Sequence, residues 1–244
     1  MSEYLRLGPD ATSPGGYLAL PKTDGPAPAI VLTTAIAGIN DYIERVAEQF
    51  AAEGYLAFAL DYFARAGGPP DLSGMDKIMA AVADLDDPVV LNDMRLAIDW
   101  LRARPDCDGR VGSVGFCIGG TYSLLAAAEI PGLAAAVCFY GTLRYAEHSE
   151  KKPRSPLEAA ADVVAPVLAH YGDEDHLVSQ ADAGELASGL KGKPAQVYTY
   201  PGAGHAFHED FRPPAHRPVA AAEAWQRTTT FLRYYLTSEY TATA

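Results

Sequence analysis

The sequence predicts an α/β fold with a mostly parallel central sheet and helices on both faces. Two observations predict it. Short apolar, β-prone runs alternate with stretches of helical period, the pattern left by strands buried on both faces and crossed over by helices. A glycine-framed turn at 115–120 also falls between a strand pattern and a helix pattern, with no internal repeat or long linker anywhere in the chain. The 244 residues, 49% hydrophobic and 20% charged, suit a single domain over 1–244, because such folds often use about 200–250 residues as one unit. A disordered or low-complexity chain is excluded.

The elements follow in order. Strands are expected at 17–20, 29–33 and 55–60. The apolar stretches 29–32 and 55–60 have the length of buried strands, well short of the ~18 residues of a membrane span. A helix over 41–53 opens on Asp41-Tyr42-Ile43-Glu44, puts Val46, Ala47 and Phe50 on one face, and stops at Gly54. Residues 63–88 break the alternation: Gly67-Gly68-Pro69-Pro70, a short helical pattern over 75–82, then the acidic group Asp84-Leu85-Asp86-Asp87. A long connection after a strand is often functional or mobile. Beyond it come a helix at 91–104, a strand at 111–114, a helix at 118–129 and strands at 134–139 and 167–171. A helix at 179–190, a strand at 196–200 and a helix at 220–235 complete the chain; the last carries Trp225, Phe231, Leu232 and Tyr235 as a core-facing stripe.

Acids outnumber bases by 31 to 19, a formal charge of −12. Duplex nucleic acid and anionic membranes, which reward clustered Lys and Arg, are therefore not expected partners. The first six residues lack the apolar core of a signal peptide. Cys107, Cys117 and Cys138 show no Cys-x-x-Cys spacing, so no disulfide framework is expected and a cytoplasmic location is. Cys138 reads as a small buried hydrophobe and Cys107, in an acidic turn, as an exposed bystander.

Cys117 differs. Gly115-Phe116-Cys117-Ile118-Gly119-Gly120 sits between strand and helix, the context of a nucleophile elbow with cysteine in the nucleophile's place. So tight a turn strains the nucleophile's backbone and tolerates only tiny neighbours two residues away. A helix N-terminus there would also favour a thiolate. Such a fold supplies its partners in the order nucleophile, acid, histidine. His205, in Pro201-Gly202-Ala203-Gly204-His205, follows the last expected strand; His170 lies inside an apolar strand and reads as a core residue. For the acid, Tyr171-Gly172-Asp173-Glu174-Asp175-His176 offers Asp175 or Asp173. Asp173, Asp175, His176, His205 and His208 do not form a tight ligand motif, so no metal site is expected, and nothing calls for a cofactor.

With these motifs, and with Gly202-Ala203-Gly204-His205-Ala206-Phe207 and Asp61-Tyr62-Phe63-Ala64-Arg65, the chain resembles the dienelactone hydrolase family of α/β-hydrolases over nearly its whole length. The resemblance implies an α/β-hydrolase fold, Asp175 as the triad acid beside Cys117 and His205, and an oxyanion hole from the backbone N–H groups of Ile118 and Ile36. It further suggests Ala35, Tyr62, Arg65, Tyr140, Arg144 and Phe207 as substrate contacts and a monomer or weak homodimer. Two departures stand out. Ala35 occupies the place of the family's glutamate, which helps activate the thiol, and Ala206 and Glu209 stand where the family has a serine and a carboxylate-gripping arginine. The expected activity is hydrolysis of an ester, lactone or thioester with a neutral or apolar acyl part, not dienelactone itself, with Glu209 and the acidic stretch weighing against a strongly anionic substrate. The alternative is a non-catalytic or cyclising member of the fold that binds a small apolar ligand.

Overall fold

A computed structural model of the chain describes residues 2–10 and 12–237; residues 1, 11 and 238–244, part of the expected 1–244 domain, lie outside the described residues. Eight strands form one sheet: β1 (Ser2–Arg6), β2 (Gly15–Ala19), β3 (Ala27–Thr33), β4 (Leu56–Asp61), β5 (Cys107–Phe116), β6 (Ala136–Phe139), β7 (Val167–Gly172) and β8 (Ala195–Tyr200). Their spatial order is β1-β2-β4-β3-β5-β6-β7-β8. β1 and β2 run antiparallel to their neighbours and every other pairing is parallel. This is the α/β-hydrolase arrangement of a mostly parallel sheet, as the alternating pattern predicts.

The helices are α1 (Asp41–Ala52), α2 (Met75–Asp84), α3 (Asp87–Arg102), α4 (Ile118–Glu129), α5 (Pro156–Ala159, running into a 3-10 turn over Ala160–Asp162), α6 (Gln180–Gly189) and α7 (Pro218–Leu236). Successive strand side chains point to opposite faces, and the core divides accordingly. Ala29 and Val31 pack with Met94 and Ile98 of α3 and Leu124 of α4. Ile30 and Leu32 pack with Phe50 of α1 and Leu232 of α7 on the other face. Asn40 caps α1 by accepting the Ile43 N–H, and Asp86 caps α3 through Val89 N–H. No helix among the described residues is long and apolar enough to cross a membrane.

Three features depart from the expected elements. β1 is an additional edge strand with an almost wholly exposed burial pattern, so neither hydrophobicity nor alternation marks it; it is held by pairing with β2. β5 starts at Cys107 rather than 111, which buries that thiol to 9% exposure instead of leaving it at the surface. α5 and the 3-10 turn after it, over 156–162, fall where the sequence marks no element, whereas the helical pattern expected over 75–82 does form α2, a helix with no fully buried residue.

Candidate active site

The loops that leave the carboxyl ends of β3, β5, β7 and β8 meet on one edge of the sheet, where open α/β sheets place ligands. Cys117 directly follows β5 and is the N-cap residue of α4, with φ 56° and ψ −124°, a strained conformation for a residue with a side chain. The neighbouring glycines are steric necessities. A Cβ on Gly115 would stand 2.0 Å from the Gly119 carbonyl oxygen, and one on Gly119 2.0 Å from the Thr33 carbonyl oxygen. The Thr33 hydroxyl donates to the Gly119 carbonyl at 2.8 Å, tying the elbow to the end of β3.

Around Cys117 the structure brings together the side chains singled out by sequence. His205 Nε2 lies 3.2 Å from Cys117 Sγ, and His205 Nδ1 lies 3.0 Å from Asp175 Oδ2. Asp175 is fixed by the N–H groups of Leu177 and Val178, which donate to its Oδ1 at 2.8 and 3.1 Å. Asp173 instead accepts the Gly202 N–H at 2.7 Å and so holds the β8 turn. The choice between the two carboxylates that the residues alone leave open is thereby a matter of geometry: Asp175 faces His205 and Asp173 does not. Burial, the largest influence on His205, opposes charge on the ring. The facing Cys117 sulfur and the Asp175 carboxylate together outweigh it, and the imidazole pKa is pushed up to about 10. Ile118 opens α4, so its N–H belongs to the unpaired first turn. Ile36 lies in the loop after β3, against the same cavity.

That cavity has a volume of about 900 Å³ and is reached by Cys117, His205, Ile36 and Ile118. One wall is α2, whose Met75, Ile78, Met79 and Val82 face it. Its lining also holds Arg144, Lys152, Arg212 and Arg217 against Glu147 and Glu209. Among the described residues no group of three or more His, Cys, Asp or Glu is placed to hold a metal.

The description "Dienelactone hydrolase family" matches residues 15–236 of this chain. The chain belongs to the dienelactone hydrolase family. It is 40% identical, over 98% of its length and 96% of the relative's, to a Bradyrhizobium protein described as a probable 2-oxo-3-(5-oxofuran-2-ylidene)propanoate lactonase. It is 32% identical, over 93% of its length and 88% of the relative's, to the carboxymethylenebutenolidase of Rhodococcus opacus. A solved structure from Klebsiella pneumoniae, a candidate dienelactone hydrolase, superposes with a TM-score of 0.90 at 30% identity, covering 96% of this chain and 99% of that one.

Of the expected contacts in this hydrolase, Ala35 and Arg144 line the cavity. Four others do not. Tyr62 donates its hydroxyl to the Thr34 carbonyl at 3.2 Å and braces the first loop. Arg65 is spent on Asp93, which it grips through both guanidinium N–H groups. Tyr140 and Phe207 are wholly buried, ring against ring at 5.4 Å, and Tyr140 stacks edge-on to His205 at 5.1 Å. They form the packing behind the imidazole, because the turns that carry them fold back into the core. Arg144, at the rim, is already paired with Asp182 and Glu185.

The reading of Glu209 against anionic substrates also changes. Its carboxylate is 4% exposed and accepts from Arg212 at 3.1 Å, so its charge is met locally. Burial, the dominant effect, raises its pKa. Sequence reasoning missed Lys152, Arg212 and Arg217 as cavity residues. The adjacent acidic run was the available signal: Asp84 and Asp87 pair with the consecutive Lys151 and Lys152.

Proposed function

We propose that this hydrolase opens an ester or lactone through a Cys117–His205–Asp175 triad and a thioester acyl-enzyme, and that its substrate carries a carboxylate beside an apolar ring or chain. The observation that carries the reading is His205 set between Cys117 Sγ and Asp175 at 3.2 and 3.0 Å on the cavity wall. Cys117 attacks the carbonyl carbon as a thiolate while His205 holds the proton. The oxyanion that forms accepts from the N–H groups of Ile118 and Ile36, each worth roughly 3 kcal/mol of barrier. As the tetrahedral centre collapses the C–O bond breaks, and the leaving oxygen takes the proton from His205 Nε2. A water then gives a proton to His205 and attacks the thioester; the C–S bond breaks, the acid leaves, and the thiolate–imidazolium pair is restored.

The apolar α2 face suits a ring or chain, and the cationic side chains suit a carboxylate, in keeping with the lactone-directed names of the relatives. The test is turnover of an activated aryl ester with intact-mass detection of the acyl-enzyme. Wild type should turn over and carry the acyl mass, and Cys117→Ala and His205→Ala should do neither. Full activity in Cys117→Ala refutes the mechanism. No turnover over a broad ester and lactone panel would favour a binding role.

A further inference from the structure

Among the described residues Lys152 is the one buried lysine, at 5% exposure, and it lines the catalytic cavity. Its ammonium donates to Asp87 Oδ1 at 2.5 Å and to the Tyr122 hydroxyl at 3.3 Å. The rings of Tyr122 and Tyr145 flank it at 5.5 and 5.4 Å. Asp87, 1% exposed, is itself fixed by the Tyr145 hydroxyl, which donates to its other oxygen at 2.7 Å.

An ammonium has three donors, and these contacts use two. No third acceptor is found among the described residues. Asp87 and the two rings enclose the charge on its protein sides. Of Asp87, Tyr122 and Tyr145, only Tyr145 lines the cavity with Lys152, so the cavity is the side of the ion pair on which a ligand can approach. A buried charged donor lacking an acceptor is costly, and burial accordingly lowers the Lys152 pKa despite Asp87.

Attachment of the loop alone does not account for this arrangement. The Asp87 N–H already donates to the Lys151 carbonyl at 2.9 Å, and Lys151 Nζ already pairs with Asp84 at the end of α2. A buried ion pair seldom outperforms an apolar pair of the same shape in stability. Arg212 and Arg217 share the lining with Lys152, against Glu147 and Glu209, while Arg144 at the rim is met by Asp182 and Glu185. Tyr122 follows Ile118 by one turn on the same face of α4, about 6 Å along the axis. The ammonium and the candidate oxyanion donor thus serve one side of one helix.

We propose that Lys152 is a specificity-determining residue that accepts the substrate's carboxylate on its third N–H, with the scissile carbonyl over Cys117. The assignment rests on the hydrolase reading above and names the residue that would select its anionic substrates.

The experiment compares two p-nitrophenyl esters, the neutral acetate and the anionic hemi-glutarate, in wild type, Lys152→Met and Lys152→Arg. Wild type should prefer the anionic ester. Lys152→Met should lower kcat/KM for it by roughly 10–100-fold, chiefly through KM, the range expected for one charge-assisted hydrogen bond. The neutral ester should change less than three-fold, and Lys152→Arg should keep part of the preference. An equal loss on both esters, or an unchanged preference, overturns the assignment. Lys152→Met leaves Asp87 unpaired, so Lys152→Met/Asp87→Asn is measured beside it and should show the same selectivity change in a protein of near-normal melting temperature. Cys117→Ala separates the two readings. Surviving turnover there refutes the nucleophile, whereas calorimetric binding of the hemi-glutarate ester to that variant reads Lys152 without catalysis. Adding Lys152→Met should weaken this binding at least ten-fold, and unchanged affinity overturns the proposal.

Discussion

Replacing Asp175 by Asn isolates the orientation of the imidazole, because the structure dictates which way the new amide must face. Asp175 Oδ1 accepts two backbone N–H groups, from Leu177 and Val178, while Oδ2 faces His205 Nδ1. In Asp175→Asn the amide oxygen must stay on the side of the two backbone donors, since an NH2 group there would leave both N–H groups, the Val178 one buried, facing a donor. That conflict costs about 1–3 kcal/mol for each orphaned group. The NH2 is therefore turned towards His205 and can only donate, which forces Nδ1 to accept and puts the ring proton on Nε2. The imidazole then cannot take a proton from Cys117, and it loses one of the groups that raise its pKa. A wrong tautomer in a triad costs roughly 10⁴-fold in kcat, about 5 kcal/mol of barrier. The assay is kcat and KM on an activated aryl ester, with Asp173→Asn as the control. The Asp173 side chain accepts the Gly202 N–H of the turn, away from His205, and Asp173→Asn should stay within a few-fold of wild type. Activity of Asp175→Asn within ten-fold of wild type would refute the reasoning, as would equal damage in the two variants.

The other predictions test the surrounding structure. His208, whose pKa burial chiefly depresses to about 4, titrates near 6.5 when unfolded, so the unfolded chain takes up its proton first as pH falls. Its contribution is complete above about pH 6.5, and roughly 3 kcal/mol is lost on descending to about pH 4. His208→Gln should show a correspondingly shallower fall of unfolding free energy over that window in urea titrations, and an unchanged slope would contradict the assignment. Gly119→Ala drives a Cβ to 2.0 Å from the Thr33 carbonyl oxygen and should cost about 3 kcal/mol, a fall in Tm of roughly 6–12 °C by calorimetry. Tyr62→Phe removes the donor to the Thr34 carbonyl; it should cost about 1 kcal/mol in stability and lower kcat more than KM if the loop carrying Ile36 supplies an oxyanion donor.

Much of the fold was legible because its signals are local. The elbow is written in six consecutive residues, and the loops bearing Asp175 and His205 directly follow apolar strand patterns. His170 also read correctly as a core residue, and it is wholly buried between the Tyr200 and Thr228 hydroxyls. What escaped the sequence depends on distant partners. β1 is a strand only because β2 is there to pair with it. Arg65 looks available until Asp93, on a helix 28 residues later, is seen to occupy it. Tyr140 and Phe207 sit in loops near the site, but whether a ring faces the cavity or the core is decided by backbone turns such as φ 43° at Tyr140. Lys152 was hidden in a polar run, and its burial follows only from the way that run folds against α3.

α2 has its own consequence. A helix of ten residues is too short to hold its shape in water by itself, and this one buries no side chain fully, with only Ile78, Ala81 and Val82 partly buried against the core. Its apolar face is turned to the same space that would receive the ligand. A ring or alkyl chain lodged beneath Met75, Ile78 and Val82 would therefore complete an interior that the helix has only in part, and the substrate would become, for the duration of a turnover, part of the protein's own hydrophobic core.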